Sequence, residues 1–260
     1  MTTLENGSLE FKGKRALVTG GSRGIGAAVV RQLLDAGAEV LTTASSTAST
    51  PPEGATFVQA DVRTKAGAET IAAAVREQLG GVDIVVHNAG GARPHEGSSA
   101  IPDEEWQDAL DLNYLASVRL DSLLVPGMRE RGEGAIVHIS SAAVLTPEFS
   151  PFLHYVAAKA ALESYSRGLA AELAPFGVRV NAVSPGRVTT PGGEATRERW
   201  AEVAARMGVP PELGAGATTP LGRDGRPDDI ANAVLFLASG RASWLTGRNL
   251  IVDGGEFPMG

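Results

Sequence analysis

The sequence contains no cysteine. That absence excludes disulfide bonds, thiolate catalysis and cysteine-ligated metal sites. Basic residues are also in deficit, since 30 aspartates and glutamates stand against 23 lysines and arginines and give a formal net charge of −7. A chain this acidic is a poor partner for nucleic acid or for an anionic membrane surface, so we expect it to bind neither.

Long hydrophobic runs are missing as well. No apolar run approaches the roughly 20 residues of a membrane span, and residues 1–15 lack the apolar core of a signal peptide. We therefore expect a cytoplasmic protein. Its 43 % hydrophobic and 20 % charged residues are ordinary for a globular chain, and 260 residues suffice for one large α/β domain.

Short apolar runs alternate with helix-length segments along the whole chain. Most of these runs are continuously apolar and β-branched, as is typical of strands covered on both faces. The pattern predicts strands at 15–19, 39–43, 56–60, 83–87, 135–140, 179–184 and 249–253. Strands that alternate with helices predict a single α/β domain built on a doubly wound, parallel, seven-stranded sheet with helices on both faces.

One irregular segment, residues 190–223, interrupts this alternation. It carries an amphipathic stretch with Trp200, Val203 and Met207 on one side, followed by a Pro- and Gly-rich stretch. A long excursion between two core elements is either a functional lid or a disordered loop. We interpret it as a substrate lid within the single domain of residues 1–260.

A glycine-rich loop follows the first predicted strand and opens the first predicted helix. Gly20, Gly24 and Gly26 stand where the chain must turn sharply and where its backbone could approach a pyrophosphate closely. The N-terminus of the helix then offers free N–H groups to phosphates. This placement favours a nucleotide site over a plain glycine-rich turn.

Tyrosine and lysine are scarce, yet one of each shares a helical turn. Tyr155 and Lys159 lie in an alanine-rich segment that favours helix, in a chain with only three tyrosines and four lysines. Residues at i and i+4 occupy the same helix face, roughly 6 Å apart along the axis. The spacing alone leaves a chance surface pair open as the alternative.

Further motifs connect these two features in a fixed order. They are TGxxxGxG at Thr19–Gly26, Asp61 after the third strand, N-A-G at residues 88–90, Asn113 in "LNY", "HISS" after the fifth strand, YxxxK at Tyr155 and Lys159, P-G-x-V-x-T at residues 185–190, and "VDGG" at residues 252–255. Together they resemble the short-chain dehydrogenase/reductase family over almost the whole chain. The resemblance implies a Rossmann-type fold, an NAD(P)-dependent oxidoreductase and a homotetramer.

The resemblance also implies four catalytic residues. Tyr155 would be the acid/base, and Lys159 would lower its pKa and hold the nicotinamide ribose. Ser141 would donate a hydrogen bond to the substrate carbonyl, and Asn113 would fix a water that relays protons. Because Ser141 lies one residue further from Tyr155 than is usual in the family, Ser140 stays open as the alternative.

Many further positions match those that bind the cofactor in the family. They are Gly20, Ser22, Arg23, Gly24, Ile25, Gly26, Ser45, Asp61, Val62, Asn88, Ala89, Gly90, Tyr155, Lys159, Pro185, Gly186, Val188 and Thr190. No acid ends the second strand at residues 43–46, where a carboxylate would bind the adenosine ribose of NAD. Arg23 can offer a cationic fork to a 2′-phosphate, and Ser45 and Ser46 can add donors. We therefore expect NADP(H), with NAD(H) as the alternative cofactor.

These features lead to an expected function. We expect an NADP(H)-preferring oxidoreductase that interconverts a ketone and a secondary alcohol, and the apolar, aromatic-bearing lid favours a polyketide-like or polycyclic ketone. Reduction of a 3-oxoacyl thioester is the alternative chemistry. A non-catalytic, dinucleotide-sensing regulator is the alternative class, against which the complete set of Ser, Tyr, Lys and Asn argues.

The histidines give no sign of a metal site. His87, His95, His138 and His154 are scattered over strands and loops without the spacing of metal ligands, so we expect no bound metal. His95 and His154 could contact the substrate, but the sequence favours surface or structural roles for both.

Overall fold

A parallel sheet forms the centre of the computed structural model, which describes residues 10–46, 50–145, 151–208 and 219–257. Its strands are β1 (Arg15–Thr19), β2 (Glu39–Ala44), β3 (Thr56–Gln59), β4 (Ile84–His87), β5 (Gly134–Ile139), β6 (Val178–Pro185) and β7 (Asn249–Val252). They pair in the order β3-β2-β1-β4-β5-β6-β7, and every pair is parallel. The seven predicted strands are therefore confirmed, with no end more than one residue from its predicted place.

Helices connect the strands. The α-helices in the described ranges are α1 (Gly24–Asp35), α2 (Lys65–Ala74), α3 (Asp103–Leu110), α4 (Ala116–Arg131), α5 (Leu153–Leu173), α6 (Pro191–Met207) and α7 (Pro227–Ala238). A π-helical turn at Val75–Leu79 extends α2, and another at Asp111–Leu115 joins α3 to α4. None of the helices in these ranges is both long enough and apolar enough to cross a membrane.

Successive residues of a strand pack on opposite faces of the sheet. Leu17 is buried in a cluster with Leu120 of α4 and Leu173 of α5. Its neighbour Val18 is buried in a second cluster, with Leu33 of α1 and Ile230 of α7. Both faces are covered, which explains the continuous apolar runs in the strands and confirms the doubly wound architecture.

The order of the strands reverses at β1. The chain passes from β1 through α1 to β2 on one side, whereas β4 pairs with β1 on the other side. Parallel strands all end at the same edge, and a reversal of this kind leaves a crevice at that edge in which ligands bind. The glycine loop after β1 and the segment after β4 therefore meet at one place.

The amphipathic stretch of the irregular segment is helix α6. Trp200, Val203 and Ala204 are buried together, and Met207 packs against them. The Thr190 hydroxyl accepts a hydrogen bond from the N–H of Gly193 and caps this helix. Residues 209–218 of the predicted lid lie outside the described residues, and the lid role of 190–223 stays a prediction.

A buried carboxylate holds the amino edge of the sheet, opposite the crevice. Asp83, just before β4, accepts hydrogen bonds from Arg15 Nη2 at 2.6 Å and from Arg15 Nε at 3.0 Å. Arg131 Nε lies 3.6 Å from the same carboxylate. Burial raises the pKa of Asp83, but the bonds to Arg15 outweigh it, so this pKa lies below its usual range. The pair fastens the start of β1 to that of β4.

Asp83→Asn should lower the free energy of unfolding by about 2 kcal/mol at pH 7, because Arg15 loses a charged hydrogen-bond partner. Chemical denaturation measures this change. Because the pKa of Asp83 is lowered by folding, its contribution is present above the usual carboxyl pKa and should be lost as the pH falls through the lowered value.

Glu133→Gln is the matched control at the same edge. Its partner Lys14 lies 3.2 Å away, and both side chains are exposed. Such a pair contributes less than about 1 kcal/mol. Equal stability of the Asp83→Asn and Glu133→Gln proteins would contradict the role given to Asp83.

Candidate active site

The glycine loop, residues 20–26, lies tightly against the end of β4. Gly20 adopts a φ of +67°, which favours glycine. A Cβ atom at Gly26 would lie 2.3 Å from the carbonyl oxygen of Gly20 and 2.5 Å from Asn88 Nδ2. The turn therefore has no room for a side chain at Gly26.

The Asn88 side chain holds this loop against the sheet. Its Nδ2 donates hydrogen bonds to the carbonyl oxygens of Thr19, at 3.0 Å, and of Gly20, at 3.1 Å. In return, the Thr19 hydroxyl accepts from the backbone N–H groups of Asn88 and Ala89, both at 3.0 Å. The side chain of Asn88 therefore positions the loop.

The N-terminus of α1 opens towards the crevice. Arg23 is the N-cap residue and makes no side-chain capping hydrogen bond. A Cβ atom at Gly24 would lie 3.4 Å from the side chain of Thr190, so the segment after β6 runs beside the glycine loop. N–H groups in the first turn of a helix have no intrahelical partner, which suits them to bind phosphates.

Tyr155 and Ser141 face each other at the carboxyl edge. Tyr155 lies on the first turn of α5. The Ser141 hydroxyl accepts from the backbone N–H of Ala143 at 3.2 Å, which fixes it at the start of a short 3₁₀ turn. Burial raises the pKa of the Tyr155 phenol, and a hydrogen bond with Ser141 offsets part of that rise. The two hydroxyls thus form a pair that a carbonyl oxygen can approach.

Ser140, the alternative to Ser141, is directed into the protein. Its hydroxyl donates to Glu163 Oε1 at 2.7 Å, and the same oxygen accepts from the Ser184 hydroxyl at 3.1 Å. All three residues are buried. Of the two serines, Ser141 is therefore the one beside the Tyr155 phenol.

Lys159 is buried one helical turn beyond Tyr155. Its Nζ donates to the carbonyl oxygen of Ile139 at 2.7 Å and lies 5.8 Å from the centroid of the Tyr155 ring. Burial lowers the pKa of Lys159 to about 8, and the nearby charge of Glu163 acts in the opposite direction. At neutral pH most of the lysine is still protonated.

The expectation that Lys159 lowers the pKa of Tyr155 stays a prediction, because the influences on the phenol that the structure shows are its burial and the hydrogen bond with Ser141. The pKa of the phenol is raised, because burial is the largest influence on it. The ammonium group of Lys159 is directed at the Ile139 carbonyl.

Asn113 lies in the π-helical turn between α3 and α4, where it is 2 % exposed. Its Oδ1 accepts from the N–H of Gly91, and its Nδ2 donates to the carbonyl oxygens of Gly91 and Ala109, all at 3.1 Å. A Cβ atom at Gly90 would lie 2.9 Å from Asn113 Oδ1 and 3.2 Å from Lys159 Nζ. The backbone of Gly90, which carries no side chain, therefore lies between the side chains of Asn113 and Lys159.

The Asp61 carboxylate, at the edge of the crevice, forms an ion pair with Arg63. Arg63 donates to both of its carboxylate oxygens, with Nη2 at 2.8 Å from Oδ2, and also to Asp108 Oδ1 at 2.8 Å. The hydrogen bonds to Arg63 lower the pKa of Asp61. The neighbouring Val62 is buried in the core, so only its backbone is available to a ligand.

The residues expected near a 2′-phosphate lie at the end of β2 and in the glycine loop. Arg23 is exposed, and its side chain makes no hydrogen bond or ion pair with any residue that the structure describes. Ser45 is exposed directly after β2, and its carbonyl oxygen accepts from Gln59 Nε2 at 3.3 Å. No acid occupies positions 43–46.

The remaining predicted positions follow β6 at the same edge. Pro185 is the last residue of that strand, and a Cβ atom at Gly186 would lie 2.6 Å from Asp253 Cβ. Val188 forms an isolated parallel bridge with Gly225. This segment then reaches Thr190 beside the glycine loop.

Sequence reasoning missed two residues that build the site. Glu163 stands four positions after Lys159 on the same helix, and this spacing is the signal that could have identified it. Gly91, whose backbone binds both ends of the Asn113 amide, carries no such signal.

Several known proteins are similar to this chain over most of its length. A family model described as enoyl-(acyl carrier protein) reductase matches residues 20–256. The 3-oxoacyl-(acyl carrier protein) reductase of Escherichia coli strain K12 is 36 % identical over 255 residues, which cover 96 % of this chain and 99 % of the relative. The L-fucose dehydrogenase of Mus musculus is 35 % identical over 94 % of this chain and 89 % of its own.

Among solved structures, the L-sorbose reductase of Gluconobacter frateurii, complexed with NADPH and L-sorbose, is similar throughout. It superimposes with a TM-score of 0.85 at 32 % identity, covering 97 % of this chain and 99 % of its own. The family model and these relatives span nearly the whole chain, including the glycine loop, Tyr155 and Lys159. The chain belongs to the short-chain dehydrogenase/reductase family of NAD(P)-dependent oxidoreductases.

Proposed function

We propose that this protein interconverts a ketone and a secondary alcohol with a preference for NADP(H). One observation supports the proposal above all others. Ser141, Tyr155 and Lys159 lie together at the carboxyl edge of the sheet, beside the glycine loop. Such an arrangement joins a proton donor to a place where a dinucleotide can lie.

The residues around the crevice fit a dinucleotide. Side chains are excluded at Gly26 and Gly90, so backbone lines the path from the glycine loop to Lys159. The first turn of α1 has no side-chain cap and keeps its N–H groups for a pyrophosphate. When bound, the nicotinamide supplies or accepts the hydride.

The protein's own residues transfer the proton and bind the carbonyl oxygen of the substrate. The Tyr155 hydroxyl donates a proton to the carbonyl oxygen during reduction, while Ser141 donates a hydrogen bond to the same oxygen. The Lys159 ammonium favours the phenolate left on Tyr155, and it can bind ribose hydroxyls from its place beside Gly90. Since the side-chain amide of Asn113 is engaged by Gly91 and Ala109, a relay water would be held by the backbone of its π-helical turn.

Tyr155→Phe should lower kcat with NADPH and a ketone at least a thousandfold while Kd for NADPH changes less than threefold, because only the proton donor is removed. Steady-state absorbance at the NADPH band and fluorescence titration measure the two quantities. Tyr114→Phe is the control, since it removes a phenol that lies on the π-helical turn next to α4. Retention of a tenth of the wild-type rate in Tyr155→Phe would reject the mechanism.

Gly90→Ala should weaken NADPH binding at least tenfold, because the added Cβ lies within 3.2 Å of both Asn113 Oδ1 and Lys159 Nζ. Gly91→Ala is a matched control at the adjacent position for this steric effect, since its Cβ meets only Leu112 Cδ2 at 3.8 Å. Both affinities follow from fluorescence titration of the purified proteins. Equal affinities of the two variants would show that the space at Gly90 does not matter.

The preference for NADP(H) rests on charge at the adenosine end. Arg23 is exposed and has no partner among the described residues, so its guanidinium is available to a 2′-phosphate. Ala44 ends β2 where a carboxylate would repel that phosphate. Similarity to a reductase solved with NADPH supports the same choice.

Arg23→Ala should raise KM for NADPH at least tenfold and change KM for NADH less than threefold, because only NADPH carries the 2′-phosphate. Ala44→Asp should reverse the ratio of kcat/KM in favour of NADH by repulsion of that phosphate. Initial rates with both cofactors measure the effect. A wild-type kcat/KM that is higher with NADH would overturn the preference.

The substrate is proposed to be a polyketide-like or polycyclic ketone, in line with the apolar side chains of α6. Reduction of a 3-oxoacyl thioester is the second candidate, and the similarity to the Escherichia coli enzyme favours it. Comparison of kcat/KM for a 3-oxoacyl thioester and for a panel of cyclic ketones separates the two. Dinucleotide binding without turnover of either class would instead indicate a regulator.

A further inference from the structure

Three residues from separate segments meet beside the start of α5. His95 comes from the segment after β4, and Glu105 comes from the first turn of α3. His154 lies in the first turn of α5, directly before Tyr155. Each offers one ligand atom, and these three atoms lie within 4.8 Å of one another. The rings of the two histidines stand edge to face with their centroids 5.2 Å apart.

Two ring nitrogens in this group are buried without a hydrogen-bond partner among the residues that the structure describes. They are His95 Nε2 and His154 Nδ1. His154 is 2 % exposed, so water does not reach it freely. A buried polar atom that lacks a partner costs free energy and calls for a ligand that the protein itself does not provide.

Glu105 completes the group with an oriented carboxylate. Its Oε1 accepts from Arg93 Nη1 at 2.6 Å, which fixes the side chain. Its other oxygen, Oε2, lies 3.9 Å from His95 Nε2, which is too far for a hydrogen bond. The space between these two atoms is wide enough for an ion that both could bind.

The second histidine group, His87, Asp121 and His138, shares this feature at one atom, His138 Nε2, which lies 3.5 Å from Asp121 Oδ2. His87 Nε2 lies 2.8 Å from Asp121 Oδ1, and Tyr165 donates to Asp121 Oδ2 at 3.0 Å. His138 Nδ1 lies 3.1 Å from the Ser166 hydroxyl. Both carboxylate oxygens of Asp121 therefore already accept hydrogen bonds within the protein, which leaves this group less able to bind a cation than the first.

We propose that His95, Glu105 and His154 bind a divalent transition-metal cation, with Zn²⁺ as the best match. Two imidazoles and a carboxylate are an established zinc ligand set. Zinc ligands at about 2.1 Å stand roughly 3.4 Å apart in a tetrahedron, so a closure of little more than 1 Å brings the three atoms into place. Hard cations such as Mg²⁺ prefer oxygen ligands and should bind poorly.

A cation at this position would clamp three segments around the active site. The N–H of His95 already donates to the carbonyl oxygen of Pro151 at 3.0 Å, which joins the segment after β4 to the approach to α5. Coordination adds α3 to this junction. Metal binding should therefore stabilise the rim beside Tyr155. The proposed metal site does not depend on the cofactor preference or on the identity of the substrate.

The test uses the full-length protein after removal of metal with a chelator. Calorimetric titration with ZnCl₂ should show one ion per chain with micromolar or tighter Kd, and Zn²⁺ should raise Tm. Co²⁺ should give the visible absorption of a tetrahedral site, whereas MgCl₂ should leave both signals unchanged. His95→Ala, His154→Gln and Glu105→Gln should each weaken Zn²⁺ binding at least tenfold.

Glu104→Gln is the matched control, because Glu104 is exposed on the same turn of α3 and should leave Kd unchanged. Circular dichroism of each metal-free variant identifies any that fails to fold. In that case the binding measured with His154→Gln and Glu105→Gln decides whether these residues are ligands. Absence of stoichiometric binding to the wild-type protein would overturn the proposal. Undiminished binding in the three ligand variants, or binding that is lost only in His87→Ala, would overturn it equally.

Discussion

The hydrogen bond from Lys159 Nζ to the carbonyl oxygen of Ile139 is the contact on which the site depends. A buried ammonium group is costly unless it is hydrogen-bonded, so this bond has to be kept once the helix is in place. It fixes α5 against the end of β5. Because Ser141 follows Ile139 by two residues and Tyr155 precedes Lys159 by one turn, the same bond sets the distance between the two hydroxyls.

Two asparagines hold the loops of the crevice in the same chemical way. Asn88 binds the glycine loop after β1, and Asn113 binds the backbone of Gly91 after β4. An amide side chain can donate and accept together, so one residue satisfies several backbone groups of an irregular segment. The loops are therefore fixed without covering the backbone that faces a ligand.

The sequence predicts those parts of the structure that local physics determines. The strands are buried on both faces, so each leaves a short apolar run with clear ends. Gly20 is favoured by its own positive φ, and a side chain at position 26 would meet the carbonyl oxygen of Gly20. The shared face of Tyr155 and Lys159 follows from helical spacing alone. These features need no knowledge of distant contacts.

The features that the sequence did not reveal all depend on residues distant in the chain or on burial. The direction of the Tyr155 pKa shift is set by how deeply the phenol is enclosed. The Asp61 carboxylate is shared with Arg63, which α3 engages through Asp108. Likewise, His95 and His154 are far apart in the chain, and the segment after β4 and the first turn of α5 bring them together.

The π-helical turn at Asp111–Leu115 makes the number of residues between α3 and α4 a structural constraint. One extra residue in a helical turn rotates everything beyond it by about 100°, so α3 and α4 present different faces although they form one continuous rod. As a result α3 packs on α5, while α4 packs on α2. Insertion or loss of a single residue here would turn one half of the rod against the other. In this stretch the number of residues is therefore constrained as well as the side chain of Asn113.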